Sequence, residues 1–221
     1  MLRFFSKYKF FGIVLLLLSA IIITVMYQAL SPKKVLPVYQ PNDVAIELVD
    51  TTIQYVRKYH TIAPFSLTNQ NGETITEATY EDKIYVADFF FTTCQTICPI
   101  MTDHMAKIQE AIKNDEEILL LSHTVTPEID TVAQLKRYAK RKGVIDAKWN
   151  LVTGDKKQIY ELARKSYLAA KDAPYNEYDL IHTENFVLVD PQKRIRGFYD
   201  GTNPEAIDQL LEDISVLKRE K

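Results

Sequence analysis

The chain has 221 residues, of which 27 are basic and 29 acidic, and its formal net charge is −2. Its lysines and arginines are scattered, so the sequence lacks the basic patch that nucleic-acid binding requires. Once the N-terminal region is set aside, about 180 residues remain, which is enough for one domain with a substantial core and short for two.

An apolar segment near the N-terminus, Phe10 to Leu30, contains no charged residue and is long enough to cross the hydrocarbon core of a bilayer. A secretory signal peptide has a shorter apolar core and ends in small residues, whereas Gln28-Ala29-Leu30-Ser31 is a poor cleavage site. We therefore expect residues 1–30 to be an uncleaved membrane anchor.

Basic residues flank this segment unevenly, since three precede it and two follow it (Arg3, Lys7 and Lys9; Lys33 and Lys34). This margin favours a cytoplasmic N-terminus and an extracytoplasmic domain. In an oxidising compartment, thiols stay reduced only through a partner reductase or a bound metal. Residues 31–42 contain three prolines and little periodicity, which predicts a linker, and residues 43–221 are expected to form the domain.

The first half of the domain is predicted to be a hairpin followed by a βαβ unit. Two short strand-like runs turn at Asn71-Gly72. Ile84 to Phe91 is β-branched and aromatic, as in a strand buried on both faces of a sheet. Apolar residues recur at helical spacing from Pro99 to Lys113, and Glu117 to Val125 has the composition of a second buried strand.

The second half is predicted to be helical and then to end in a ββα arrangement. The predicted elements are helices at Asp130–Arg141 and Asp155–Leu168, a short strand at Leu151-Val152, an irregular stretch at Ala169–Ile181, a hairpin of Asn185–Val189 with Ile195–Tyr199, and a helix at Pro204–Leu217. This order is that of an α/β, thioredoxin-like domain with an N-terminal hairpin, here preceded by one transmembrane helix.

Both cysteines, Cys94 and Cys98, lie in the loop after the first buried strand. Such a pair can be a structural disulfide, a redox pair or two thiolate ligands. As a disulfide it would close so small a loop that chain entropy supplies only about 2 kcal/mol. Pro99 predicts that a helix starts there with Cys98 at or near its N-cap, where free N–H groups stabilise a thiolate. The position therefore favours a working thiol.

A ligand site in an α/β sheet lies at the carboxyl ends of the strands, which is where the Cys loop is expected. A third ligand must come from elsewhere, and His182, just before a C-terminal strand, is the best placed of the four histidines. Two thiolates and an imidazole favour copper, because the sulfurs hold Cu(I) and the imidazole helps to accommodate Cu(II). Structural zinc generally requires a fourth protein ligand, and the chain has no third cysteine.

Several segments occur in a characteristic order between Phe65 and Tyr199. They are Asp88 to Thr92 leading into Cys94 and Cys98-Pro99, Pro127 to Thr131, Trp149 to Gly154, and His182 followed by Asp190-Pro191. In this ordered set the sequence resembles the Sco/SenC family of copper chaperones, which assist assembly of cytochrome c oxidase. The resemblance implies a thioredoxin-like fold, a single membrane anchor and a copper site of Cys94, Cys98 and His182. The sequence departs from the family pattern at Gln95, where proline is common, and at Lys193, where glycine is common.

By this resemblance the protein is expected to bind Cu(I), and also Cu(II), and to help metallate the binuclear copper centre of the oxidase without substrate turnover. The expected partners are the copper-bearing oxidase subunit, an upstream copper donor and a thiol reductase. The expected location is a bacterial-type inner membrane, ahead of a mitochondrial one, with the domain on the periplasmic side.

The alternative is a thiol-disulfide reductase in which Cys94 and Cys98 cycle between dithiol and disulfide to reduce that acceptor or another extracytoplasmic protein. A thioredoxin would normally use Cys-x2-Cys, so the wider spacing together with His182 favours metal. The same thiolates serve both roles, which do not exclude each other. A peroxidase-like sensor, the remaining alternative, would need an arginine beside Cys94.

Other side chains near the Cys loop have two interpretations each. His123 is a hydrogen-bonded structural residue or a transient ligand, and Asp88 is structural or assists proton transfer to the thiols. Met101 and Met105 lie on the apolar stripe of the predicted helix, which favours core packing over thioether ligation.

Overall fold

The computed structural model describes residues 8–30, 34–172, 180–182 and 184–220, with the backbone alone at 28, 29, 171, 172 and 180–182. Contacts divide the chain into two compact units, Met1–Val35 and Leu36–Lys221. The helices are α1 (Lys9–Leu30), α2 (Ile97–Ile112), α3 (Val132–Lys142), α4 (Lys156–Glu161) and α5 (Pro204–Arg219), with a π-helical turn at Leu162–Ser166 and 3-10 turns at Pro41–Asp43, Ile46–Leu48 and Glu77–Tyr80.

The N-terminal unit contains α1, whose side chains are apolar all around the helix. Its segment Lys9–Tyr27 has a mean hydropathy of 2.6 and is the one helix in the described ranges that is long and apolar enough to cross a membrane. A signal sequence has a similar apolar composition, so the helix is a candidate span by length and composition.

The second unit is built on a seven-stranded sheet with the order β2-β1-β5-β4-β3-β8-β9. The strands are β1 (Ser66–Asn69), β2 (Thr74–Thr76), β3 (Ile84–Phe90), β4 (Ile118–Thr124), β5 (Trp149–Thr153), β8 (Asn185–Val189) and β9 (Ile195–Asp200), while β6 (Ala170–Asp172) and β7 (Leu180–His182) form a separate antiparallel pair. The central strands β3, β4 and β5 are parallel, and the outer pairs are antiparallel.

The predicted βαβ unit is confirmed, because β3 and β4 pair in parallel from Ile84↔Ile118 to Phe90↔Thr124. All seven residues of β3 are buried, as the continuous apolar sequence requires of a strand covered on both faces. The predicted N-terminal hairpin is also present, and it turns where Gly72 adopts a φ of 80°. That left-handed conformation favours glycine.

Helices cover both faces of the sheet. On one face α2, α3 and α5 pack side chains such as Met101, Leu135 and Ile207 into a cluster that also contains Cys98. On the other face the segment before β1 and the α4 region form a second cluster, which contains Tyr167. Phe91, the first residue of the β3–α2 loop, packs against both clusters.

The structure differs from the sequence prediction at two places that flank the candidate site. Helix α2 begins at Ile97, two residues before the predicted start, so Pro99 is its third residue. Proline is tolerated at this position, because the first backbone N–H groups of a helix have no partner within the helix and the N–H that proline lacks would be one of them. The stretch Ala169–Ile181, predicted to be irregular, contributes the three-residue strands β6 and β7, which are too short for alternation to reveal.

A buried arginine on β9 ties the start of the second unit to its C-terminal end. Arg196 donates to the carbonyl oxygens of Leu36 (2.7 Å) and Pro37 (2.9 Å), to Asp190 Oδ2 (3.1 Å) and to Glu220 Oε2. Glu220 in turn accepts from the Leu36 N–H (2.6 Å). The later part of the predicted linker is therefore packed onto the domain from Leu36 onward.

We expect Arg196→Met to lower the free energy of unfolding by roughly 1.5–3 kcal/mol, because Glu220 and the carbonyl oxygens of Leu36 and Pro37 lose a buried charged donor, while Asp190 keeps Arg194. The matched control is Arg194→Met, which removes a more exposed guanidinium from the same Asp190 and should cost at most about 1 kcal/mol. Urea unfolding of the full chain in detergent, followed by fluorescence of the single tryptophan, Trp149, measures both. Equal losses in the two variants would contradict the role of Arg196.

Candidate functional site

The Cys loop, residues 91–96, joins the carboxyl end of β3 to α2 and lies at the carboxyl edge of the parallel strands, as predicted. The Phe91 carbonyl oxygen accepts from the Cys94 N–H (3.3 Å), which turns the loop immediately after the strand. The Val125 N–H donates to the Phe90 carbonyl oxygen (2.8 Å), so the end of β4 lies beside the start of the loop. Loops at this edge are where α/β proteins usually place their ligand sites.

Cys94 is the half-exposed thiol of the pair, and both cysteines are free. Its Sγ accepts from the backbone N–H of Cys98 (3.4 Å) and lies 3.6 Å from Thr96 Oγ1. Partial burial raises the pKa of Cys94, but hydrogen bonds from Cys98 and Thr96 lower it by more, so the pKa lies at about 7. Cys94 is therefore substantially ionised at neutral pH.

Cys98 is the buried thiol and lies in the first turn of α2. Burial raises its pKa, and the neighbouring Cys94 raises it further, to about 12. Cys98 was predicted to be the stabilised thiolate, and this prediction was wrong. The first-turn N–H groups do stabilise a thiolate, but the one they reach is Cys94, because α2 begins before Cys98.

His182, the predicted third ligand, ends the short strand β7, where its backbone pairs with Ala170 of β6. Ala170 belongs to the cluster on the face of the sheet opposite to that of Cys98. The side chain of His182 lies outside the described part of the structure. Among the side chains that are described, no three His, Cys, Asp or Glu residues are grouped so as to hold a metal ion.

His123 is fully buried near the carboxyl end of β4 and stacks on Phe89, with ring centroids 4.8 Å apart. Its Nδ1 donates to the Asp88 carbonyl oxygen (3.3 Å), and its Nε2 has no hydrogen-bond partner among the described residues. Its aromatic neighbours Phe89 and Tyr167 belong to the face of the sheet opposite to Cys98. Burial lowers the pKa of His123 to about 4, so the ring is neutral at pH 7.

Asp88 is a carboxylate inside β3, and its Oδ1 has no hydrogen-bond partner among the described residues. Burial raises the pKa of Asp88, a hydrogen bond with Ser122 opposes this, and the pKa lies at about 7. Strand alternation places Asp88 on the same face of the sheet as Val86 and Phe90, whose cluster also contains Cys98. The Asp88 charge also raises the pKa of Cys98.

The remaining candidates are structural. Met101 and Met105 are fully buried in the core, as predicted. His104 and His60 are half-buried and hydrogen-bonded to the backbone oxygens of Gly201 (2.7 Å) and Ser166 (2.8 Å).

One feature of the site was not predicted from the sequence: the buried Asp130 accepts hydrogen bonds from Thr92, near the start of the Cys loop. Two signals in the sequence pointed to Asp130, which is the first residue of the predicted helix Asp130–Arg141 and lies within the Pro127–Thr131 segment of the family resemblance.

His123 and Asp88, each with one buried atom that lacks a hydrogen-bond partner among the described residues, should give the protein opposite pH dependences of stability. A folded-state pKa of about 4 for His123 means that stability is lost as pH falls from about 6.5, whereas a folded-state pKa of about 7 for Asp88 means that stability is lost as pH rises from about 4. We expect His123→Phe to gain on the order of 2 kcal/mol more at pH 4.5 than at pH 7.5.

Asp88→Asn is the matched variant, and it should gain more at pH 7.5 than at pH 4.5 because it removes a group that resists ionisation. Urea unfolding of both variants and the parent at the two pH values provides the measurement. The pKa assignments would be wrong if the two variants changed in the same direction with pH.

A family model and a curated relative place this chain in the same family. The family model described as SCO1/SenC matches residues 54–218. A curated SCO1 protein homolog of Bacillus subtilis is 33% identical over 155 residues, which cover 69% of this chain and 80% of that protein.

Two solved structures share the fold. BsSco, a member of the Sco family of cytochrome c oxidase assembly proteins in which a disulfide switch was identified, is 32% identical with a TM-score of 0.63 over 73% of this chain and 95% of that chain. Arabidopsis thaliana ScoI with copper bound is 27% identical with a TM-score of 0.59 over 72% and 98%. The predicted thioredoxin-like fold is confirmed, and the chain belongs to the SCO1/SenC family.

Proposed function

We propose that this protein binds copper through Cys94, Cys98 and His182 and delivers it to the binuclear copper centre of cytochrome c oxidase. The observation that carries the proposal is the thiol pair at the carboxyl edge of the sheet, where Cys94 Sγ accepts from the Cys98 N–H and the pKa of Cys94 is lowered to about 7. Copper bound to a family member that shares the fold, and the membership of BsSco among cytochrome c oxidase assembly proteins, support it.

The thiols present fit a soft monovalent cation. Cu(I) prefers thiolate sulfur, and two sulfurs four residues apart across the start of a helix supply two such donors. Cys98 keeps its proton at neutral pH without metal, so copper binding must displace that proton. The imidazole of His182 would add a nitrogen donor suited to Cu(II) as the second oxidation state.

Delivery by ligand exchange follows from the unequal exposure of the two sulfurs. Cys94 is half-exposed and Cys98 is buried, so the ligands of an acceptor subunit reach copper from the side of Cys94. Cys94 is then the first protein ligand to be replaced, while Cys98 retains the metal until the acceptor is docked. An upstream copper donor would load the site by the reverse sequence.

We also propose that α1 anchors the chain in a bacterial-type inner membrane and that the copper-binding domain lies on the periplasmic side. Of the predicted linker, residues 31–42, the part from Leu36 onward packs on the domain, so only the part before Leu36 connects the domain to α1. The length and hydropathy of α1 support a membrane span. The excess of basic residues before it supports a cytoplasmic N-terminus.

A second candidate function, thiol-disulfide exchange, is favoured by the separation of the two thiol pKa values, about 7 for Cys94 and about 12 for Cys98. An exchange pair needs one exposed thiolate that attacks and one protected thiol that later resolves the mixed disulfide. A disulfide switch has been identified in BsSco. The reductase would act on the cysteines of the copper acceptor or of another extracytoplasmic protein, with an external thiol reductase restoring the dithiol.

The copper proposal is tested by titrating the full chain in detergent with Cu(I) in competition with a chelator. We expect Cys94→Ala and Cys98→Ala each to weaken Cu(I) binding by at least roughly 100-fold, because each leaves one sulfur donor. His182→Ala should weaken it less and should abolish the intense sulfur-to-copper absorption of the Cu(II) form. His104→Ala is the matched histidine control and should bind both copper states like the parent.

One outcome of these experiments would favour the reductase function over copper delivery. His182→Ala would bind Cu(I) and Cu(II) like the parent, and reduction of a disulfide-containing peptide would require only the two cysteines.

The unequal thiols predict unequal chemical reactivity. At pH 7, iodoacetamide should modify Cys94 at least roughly 100-fold faster than Cys98, because only the thiolate reacts and Cys98 is protonated and buried. Mass spectrometry of peptides from the briefly treated chain gives the ratio, and urea-unfolded chain is the control in which it should approach one. Comparable rates in the folded chain would contradict the assigned asymmetry.

A further inference from the structure

We propose that Asp130 is a positioning residue for the copper site, which acts through Thr92 to hold the Cys loop in the conformation that presents Cys94 next to the start of α2. The inference rests on the proposed copper function and names a part of the site that lies outside its ligands.

Asp130 is fully buried between the end of β4 and the start of α3. Its carboxylate accepts four hydrogen bonds from three threonines. Thr92 Oγ1 donates to Oδ1 (2.5 Å), while the Thr92 N–H (3.1 Å), Thr124 Oγ1 (2.5 Å) and Thr126 Oγ1 (3.1 Å) donate to Oδ2. Hydrogen bonds to a carboxylate are stronger than those between neutral groups, so these bonds hold the three threonines firmly. We call Asp130 with Thr92, Thr124 and Thr126 the Asp130 clamp.

Thr92 is the only member of the clamp on the Cys loop, and it is held by both its backbone and its side chain. Its hydroxyl also accepts from Gln134 Nε2 of α3 (2.9 Å). Two bonds to one carboxylate fix the orientation of the Thr92 peptide as well as its position. The loop therefore leaves β3 in one direction, two residues before Cys94.

The other end of the clamp is rigid. Thr124 is the last residue of β4, and Thr126 lies two residues further on, where its N–H donates to Thr124 Oγ1 (3.1 Å). Cys98 has a separate anchor, because its carbonyl oxygen accepts from Thr102 Oγ1 (2.7 Å) inside α2. Cys94 thus depends on the Asp130 clamp for its position relative to Cys98, while Cys98 depends on the helix.

Metal affinity depends on such supporting contacts, because ligands that are held in place before binding lose less entropy when the metal arrives. If the clamp is released, Cys94 Sγ is no longer kept 3.4 Å from the Cys98 N–H, and the two sulfurs must be brought together at the expense of binding energy.

The test compares two hydroxyl-to-methyl replacements at the same carboxylate in the full chain. Thr92→Val removes one Asp130 bond on the Cys loop, and Thr126→Val removes one on the far side of the clamp. We expect Thr92→Val to weaken Cu(I) binding roughly 10- to 100-fold and to speed amide hydrogen exchange across residues 91–98. Thr126→Val should change Cu(I) affinity less than about threefold at a similar unfolding temperature.

Thr92→Ser, which keeps the hydroxyl, should restore Cu(I) affinity to within about threefold of the parent. Equal copper affinities in Thr92→Val and Thr126→Val, or Thr92→Ser no better than Thr92→Val, would overturn the positioning role. A parent chain that does not bind Cu(I) would instead refute the proposed function. In that case faster exchange of residues 91–98 in Thr92→Val alone would still show that the clamp orders the loop.

Discussion

The parallel pairing of β3 with β4 is the constraint on which the rest of the structure depends. Seven consecutive residue pairs bring the carboxyl ends of β3 and β4 to one edge of the sheet. Helices on both faces exclude water from these two strands. The Cys loop after β3 and the Asp130 segment after β4 are neighbours only because of this pairing. A shift of one residue in register would also exchange the faces of Asp88 and Phe89 and place a carboxyl in the other core.

The site that results treats two chemically identical thiols differently. Cys94 receives the first-turn N–H of α2 and reaches solvent, whereas Cys98 belongs to the helix and faces the core. The two sulfur donors, four residues apart, thus differ in exposure and in ionisation at neutral pH. This difference suits stepwise metal transfer, and it also suits disulfide exchange, which is why both functions follow from the same geometry.

Most of the fold could be predicted from the sequence, because the buried strands, the Gly72 turn and the Asn203-capped last helix carry strong local signals. The position of the thiol pair followed from topology. Which thiol is ionised could not be predicted, since it depends on the α2 start, which local propensity places two residues late. The environments of His123 and Asp130 were equally hidden, because they arise from contacts between segments distant in sequence.

The Arg196 network also determines which part of the domain bears a force applied at its N-terminal end. The chain enters the domain at Leu36 and Pro37, whose carbonyl oxygens are held by a guanidinium on β9, and β8 separates β9 from β3. A pull on the N-terminal side therefore loads the outer edge of the sheet and the end of α5. The Cys loop follows β3, two strands away from β9, so it takes no part in the contacts that hold Leu36 and Pro37.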